Sequence, residues 1–289
     1  MKGTAYLVQG ALISLWWLGL AISDDFYNAF QFPEISKVAF NSFLAPDILI
    51  ITFLSILRAY KTSRDLELII LGGFAYGCLY CLNASILSSG GYLSTTIMFL
   101  GLFYNLFLVY QSGLFRESRS RNPLTNALKT ILQILSVWSI TLILFPWIII
   151  DAFEIETTSS QAIKILSYII FVFSSILGLS SAYVLVKYGN GTPLPADQTQ
   201  KLVVIGSYKY VRNPMAIAGM GQGLAISLYF GSIHILIYTI IGGLLWHIVV
   251  RPIEEKNMFK RFGKDYQMYH EKVKLWTPKF GKTPYKMHN

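Results

Sequence analysis

Between residues 206 and 255 the chain sets glycine, tyrosine, arginine, asparagine and a glutamate pair around one long apolar stretch. The first half reads Gly206-Ser-Tyr208-Lys-Tyr-Val-Arg212-Asn213-Pro214-Met215-Ala216, the second Arg251-Pro-Ile-Glu254-Glu255. Gly206 permits a close backbone turn. Asn213 and Pro214 are the cap and first-position residues of a helix, and a helix N-terminus beside Arg212 suits a carboxylate or phosphate. Glu254 and Glu255 suit the first turn of another helix. The apolar stretch between them is broken at Phe230-Gly231-Ser232, so both halves meet at one mouth of a helical hairpin. Opposite charges converging there would hold a zwitterionic ligand.

Each residue also has a plainer reading. Arg212 is the positive flank of a membrane helix, and Arg251 is a side chain snorkelling to an interface. Gly219, Gly221 and Gly223 form a helix-pairing face or, equally, leave room for a flat ring, with Gln222 the one side chain beside them that has several hydrogen-bonding groups. His247 and Arg251 lie four apart and share a face. That face is not expected to continue across Pro252, which should kink or end the second leg and start a new helix.

The elements that must position these residues are membrane spans. Charged residues make up 13% of the 289, about half the 25% usual in soluble domains. With 54% hydrophobic residues the chain is neither disordered nor able to cover a soluble core with polar surface. Apolar runs of spanning length fall at roughly 4–22, 39–57, 67–87, 92–111, 129–150 and 163–187, followed by the broken run 213–250. Connectors alternate in charge. Those holding Arg58, Lys61 and Arg64, then Arg116, Arg119 and Arg121, then Lys201, Lys209 and Arg212 are basic; those holding Asp24, Asp25 and Glu34, then Asp151, Glu154 and Glu156 are acidic. The expected fold is therefore all-α: a polytopic membrane helical bundle of about eight spans, the last two a hairpin, with both termini cytoplasmic and a cytosolic C-terminal helical segment. The net charge of +9 sits in the short loops and the tail, including Lys279, Lys282 and Lys286. That distribution suits an anionic leaflet and excludes nucleic acid as the expected partner.

The polar segment 112–128 is a soft boundary between an N-terminal four-span region, 1–128, and a motif-bearing region, 129–289. Within the latter, Gly189-Asn-Gly-Thr-Pro193-Leu-Pro195 is turn chemistry and Leu202 to Ile205 is an apolar patch too short to span. Cys78 and Cys81 form a C-x-x-C with no second Cys/His cluster to complete a metal site; packing explains them, and no metal is expected.

The full order is Gly206, Tyr208, Arg212-Asn213-Pro214, an apolar hairpin, Glu254-Glu255, then Phe262-Gly263-x-x-Tyr266-x-x-Tyr269. It resembles the integral-membrane methyltransferases of the isoprenylcysteine carboxyl methyltransferase and phospholipid methyltransferase group, over roughly 190–280. The resemblance implies a helical bundle whose cytosolic C-terminal segment closes over S-adenosylmethionine and a hydrophobic or lipid-like methyl acceptor. Gly206, Tyr208, Arg212, Asn213, Pro214, Met215 and Ala216 would line the cofactor, with Gly219 and Gln222 further along. Glu254 or Glu255 would hold its polar end or deprotonate an acceptor, Arg251 would sit near the acceptor, and Phe262, Gly263, Tyr266 and Tyr269 would pack the lid. The chain departs from the pattern at Asn213, where histidine is usual in the prenylcysteine enzymes, at Ala216, where tyrosine is frequent, and in the spacing of Arg251. Two other classes stay open: a related NADPH-dependent sterol-type reductase, and a transporter or scaffold built on Asp47 and His234, for which no half-repeat symmetry speaks.

Overall fold

The computed structural model describes residues 2–278 except 115, 121, 195 and 196, and gives no side-chain surroundings for 112–114. Arg121, Pro195, Lys279, Lys282 and Lys286 thus lie outside the described residues. Among the described residues the chain is helical, and its β structure is one isolated bridge between Glu117 and Gln198. Among the described residues seven helices are long and apolar enough to cross a membrane: α1 (Lys2–Ile22), α3 (Lys37–Tyr60), α4 (Arg64–Ser88), α5 (Tyr92–Gln111), α6 (Pro123–Ala152), α7 (Gln161–Gly189) and α9 (Ile233–Lys272). A short α2 (Asp24–Phe30) follows α1. The expected eighth span is α8 (Pro214–Phe230), only 17 residues long and so about 25 Å.

Helix starts follow local chemistry. Ser63, Ser160 and Ser232 accept a backbone N–H from the third residue after each of them, satisfying donors that the helix cannot. Asn122 accepts from Leu124 N–H ahead of Pro123.

Contacts divide the chain into two compact units, Met1–Ser112 with Trp147–Ile155, and Gly113–Pro146 with Glu156–Asn289. The first buries Tyr6, Ile70, Phe74 and Leu108 and stacks Trp16, Trp17, Phe30 and Phe40 at one end. In the second, α8 packs closely on α7. A Cβ on Gly221 would collide with Ser174, and Gly178 faces Ala218. Gly223 meets Thr239 of α9 in the same way. Gly219 differs from the expected pairing face, because a Cβ there would meet nothing within 4 Å.

Pro252 does not end the hairpin's second leg. α9 runs on through a π turn at Trp246–Val250, in which Arg251 N–H reaches Trp246 O, five residues back. The next N–H would belong to Pro252, which has none, and the wider turn moves its ring off the preceding carbonyls. His247 O is left over and accepts from Arg251 Nε at 3.1 Å. The same device recurs in α6, where Phe145 N–H bonds Ile140 O ahead of Pro146, and the next carbonyl, Thr141 O, accepts from Tyr238 OH at 3.0 Å. From Ile233 to the break at Gly263 α9 is about 45 Å long, well beyond the ~30 Å of hydrocarbon in a bilayer. Its apolar part ends at Val250, and from Arg251 on charged residues recur every few positions, so 251–272 lie outside the spanning part.

Candidate functional site

The site is assembled where α8 begins, α9 leaves its apolar part and the chain doubles back. Gly206 adopts a left-handed backbone, φ 61°, which starts the short 3-10 turn Gly206–Lys209 and delivers Tyr208 to a buried position. Asn213 then caps α8, its Oδ1 accepting Ala216 N–H at 3.0 Å, with Pro214 in the first turn.

The C-terminal half of α9 folds onto this turn. Gly263, at φ 50° and ψ −123°, breaks the helical path with a conformation that glycine alone adopts readily. Beyond it Tyr266, Tyr269 and Val273 bury against Leu202 and Val204, with Met258 and Phe262 at the edge. The apolar patch too short to span is thus the seat of the C-terminal helix. Tyr269 OH donates to Tyr208 O at 2.6 Å, Arg212 N–H donates to Lys274 O at 3.0 Å, and Trp276 Nε1 donates to His247 Nδ1 at 3.2 Å.

Inside this enclosure the charges are unequally matched. Glu255 Oε1 takes Arg212 Nη1 at 2.9 Å and its Oε2 takes Arg251 Nη1 at 3.2 Å. His270 Nε2 stands 3.7 Å from the same carboxylate, but burial first, and then Arg212, lower its pKa, so near neutral pH it adds no full charge. Glu254 is different. Among the described residues its carboxyl has no hydrogen bond or ion pair, and burial, followed by the Glu255 charge beside it, pushes its pKa up to about 7. Tyr208 feels that charge: its hydroxyl is raised well above the usual value by burial and then by Glu254. Tyr266 and Tyr269 are raised by burial as well, with Arg212 opposing in both. Arg212 Nε is itself buried without a partner. One mouth therefore carries an unmatched carboxyl and an unmatched guanidinium donor within a ring of neutral tyrosines. That is a fit for a zwitterionic ligand.

Of the residues singled out from sequence, Gly206, Tyr208, Arg212, Asn213, Arg251, Glu254 and Glu255 come together here. Pro214, Met215 and Ala216 form the first turn of α8 beside them. Gly219 and Gln222 lie further along α8. Gly219 faces open space, while Gln222 is buried and donates to Ser175 Oγ of α7 at 3.0 Å. Arg251 bonds within its own helix, to His247 O and Glu255.

Sequence reasoning missed Arg261. Its Nε bonds Glu117 Oε1 at 3.0 Å, its Nη1 bonds Gln198 Oε1 at 2.8 Å, and its Nη2 reaches Thr199 O. Ser118 N–H donates to Gln198 O and Gln198 N–H to Arg116 O, at 2.8 and 2.9 Å. Arg261 thereby ties α9 to the two loops that precede α6 and follow α7. Its one sequence signal is a charged residue next to Phe262, on the side of the helix that buries.

This is a polytopic all-α protein of a membrane, with a charged cluster at the mouth of its last hairpin. Residues 162–265, wholly within the second unit, match the family model described as phospholipid methyltransferase, as the order of motif residues implied. The match points to a membrane methyltransferase. No curated protein and no solved structure matched the chain.

Proposed function

We propose that the protein transfers a methyl group from S-adenosylmethionine to a hydrophobic or lipid-like acceptor at the cytosolic face of a membrane. The observation that carries this reading is the coincidence of the family match with the unmatched Glu254 carboxyl and Arg212 Nε at one mouth. On this reading residues 129–289 are the methyltransferase region, separate from the four N-terminal spans of 1–128, and both termini are cytoplasmic, following the alternation of basic and acidic connectors.

Glu254 would hold the cationic end of the cofactor and Arg212 its carboxylate, while Gly206, Tyr208 and the turn from Asn213 to Ala216 line it. When bound, S-adenosylmethionine supplies an electrophilic methyl group. The chain's part is alignment and exclusion of water: Tyr208, Tyr266 and Tyr269 wall the mouth, and Glu255 fixes Arg212 and Arg251 from opposite oxygens. Glu254, at about 7, is poised to take a proton from an amine or phenol acceptor; a carboxylate acceptor needs no such help. Arg251 positions Glu255.

Calorimetric titration of the detergent-purified protein with S-adenosylmethionine and S-adenosylhomocysteine tests the reading. Saturable binding that Glu254→Gln weakens is the expected result. Binding of NADPH in their place overturns it in favour of a reductase.

A further inference from the structure

The first unit holds a line of buried polar groups with no place in methyl transfer. Along one face of α3, Asp47, Thr52, Ser55 and Arg58 are each at most 9% exposed, although the helix is apolar enough to span a bilayer. They meet α1 residue by residue. At one end Arg58 Nε bonds Glu67 Oε1 at 2.9 Å, Lys2 Nζ stands 3.3 Å from Glu67 Oε2, and the Arg58 guanidinium lies over the Tyr6 ring. In the middle Gln9 Nε2 donates to Ser55 Oγ at 2.8 Å, and Asn105 Nδ2 donates to Gln9 Oε1 at 2.7 Å. At the other end Trp17 Nε1 donates to Asp47 Oδ2 at 2.9 Å.

Polar side chains between membrane helices often serve as glue, and the Gln9–Ser55–Asn105 set does so. Glue leaves no partners missing, yet three oxygens on this line are buried and unpartnered: Tyr6 OH, Asn105 Oδ1 and Thr52 Oγ1. A buried polar atom without a bond is costly, and such atoms are what internal water binds. They fall between the Glu67 end and Asp47. The helix is also widened there into a π turn, Asp47–Phe53, a distortion frequent at functional sites.

We propose that this line is a proton path through the first unit, with internal water bridging Tyr6, Asn105 and Thr52 and with Asp47 Oδ1 as the terminal acceptor. A proton taken from water at the Glu67 end moves along the bridging waters and converts the Asp47 carboxylate to the acid. Release runs the same steps backwards, so charge and atoms balance with no co-reactant. The groups that face Asp47 are Trp17 of α1, by its hydrogen bond, and Cys81 of α4, electrostatically. Glu67, Arg58, Lys2 and Arg64 form the far end, and Tyr6 acts electrostatically on Tyr104 of α5.

The test is infrared spectroscopy of the full chain in lipid nanodiscs, carried out in the Glu254→Gln background so that the other carboxyl titrating near neutral pH is removed, following the carboxylic-acid C=O band through a pH titration and during exchange into heavy water. The expected band titrates, exchanges and is missing from Asp47→Asn. Thr52→Val keeps the carboxyl and removes one relay hydroxyl. It should keep the band and slow its exchange about tenfold, the effect of losing one hydrogen bond from the barrier, and so reports even where Asp47→Asn does not fold. A band insensitive to pH, a band unchanged in Asp47→Asn, or equal exchange in Thr52→Val overturns the proposal. None of these outcomes depends on methyl transfer.

Discussion

Arg251 Nε occupies the carbonyl oxygen of His247, the acceptor for which Pro252 has no N–H to offer. The arginine thus repairs the helix at the residue before the one that damages it, and its Nη1 then reaches Glu255. Arg251→Met should therefore lower the melting temperature and release Glu255, costing about 1–3 kcal/mol for an abandoned buried acceptor. Arg251→Lys should recover little, because one ammonium cannot serve both sites. Tyr238→Phe, which frees Thr141 O in the matching turn of α6, should cost a similar amount by thermal melting and leave cofactor affinity unchanged. A Tyr238→Phe protein as stable as wild type would show that such carbonyls need no partner.

Glu254 makes a pH prediction with a definite sign. Its folded pKa of about 7 lies above the ordinary carboxyl value of 4.5, so between those values the folded protein holds more protons than the unfolded chain. Stability from this group is full below the lower value and is lost as pH rises through the upper one. Melting temperature without ligand should fall between about pH 5 and about pH 8, and Glu254→Gln should flatten that fall. Affinity for S-adenosylhomocysteine, whose amino group is cationic, should rise over the same interval, as calorimetry at about pH 6 and about pH 8 would show.

Arg212 and Glu255 should prove energetically coupled. Both side chains are mostly buried, 11% and 17% exposed, and neither has another equal partner for that bond. A double-mutant cycle of Arg212→Ala and Glu255→Gln, read by thermal melts, should give a coupling of about 1–3 kcal/mol. The single variant Arg212→Ala should be the worse, since it leaves Glu255 beside Glu254 with Arg251 alone.

Gly263→Ala tests the fold-back of the C-terminal helix. The added methyl meets nothing within 4 Å, so the whole cost is backbone strain at positive φ, about 1–3 kcal/mol. Limited proteolysis should cut beyond residue 263 faster in the variant, with α1 to α8 still protected. Equal cleavage rates would mean that the packing of Tyr266 and Tyr269 alone holds the segment.

How far the sequence carried this fold depended on whether the signal was local. The spans follow from apolar runs, and the start of α8 from Asn213-Pro214, because a cap is chemistry between near neighbours. The continuity of α9 through Pro252 was not legible: proline rules assume an α turn, and the rescue comes from a π turn and a side-chain donor. The role of Leu202 and Val204 was hidden too, since their partners Tyr266, Tyr269 and Val273 come some sixty residues later. Sequence offered Glu254 and Glu255 as equals. Only three dimensions separate them, because both arginines reach Glu255 and neither reaches Glu254. In the first unit nothing local in the sequence says that three helices bring Gln9, Ser55 and Asn105 to one point.

The π turn at Trp246–Val250 has a bearing on how this protein could be altered. Each residue of an α-helix advances about 100° around its axis, so one residue absorbed in a wide turn offsets everything beyond it by about that angle. Glu254 and Glu255 owe their direction to this offset. Turning that stretch back into an ordinary α turn with every residue kept, as Pro252→Ala would permit, would leave composition, hydropathy and length almost as they were and would swing both glutamates away from Arg212. A deletion of one residue in that stretch would instead be taken up by loss of the wide turn, and the glutamates would keep their facing.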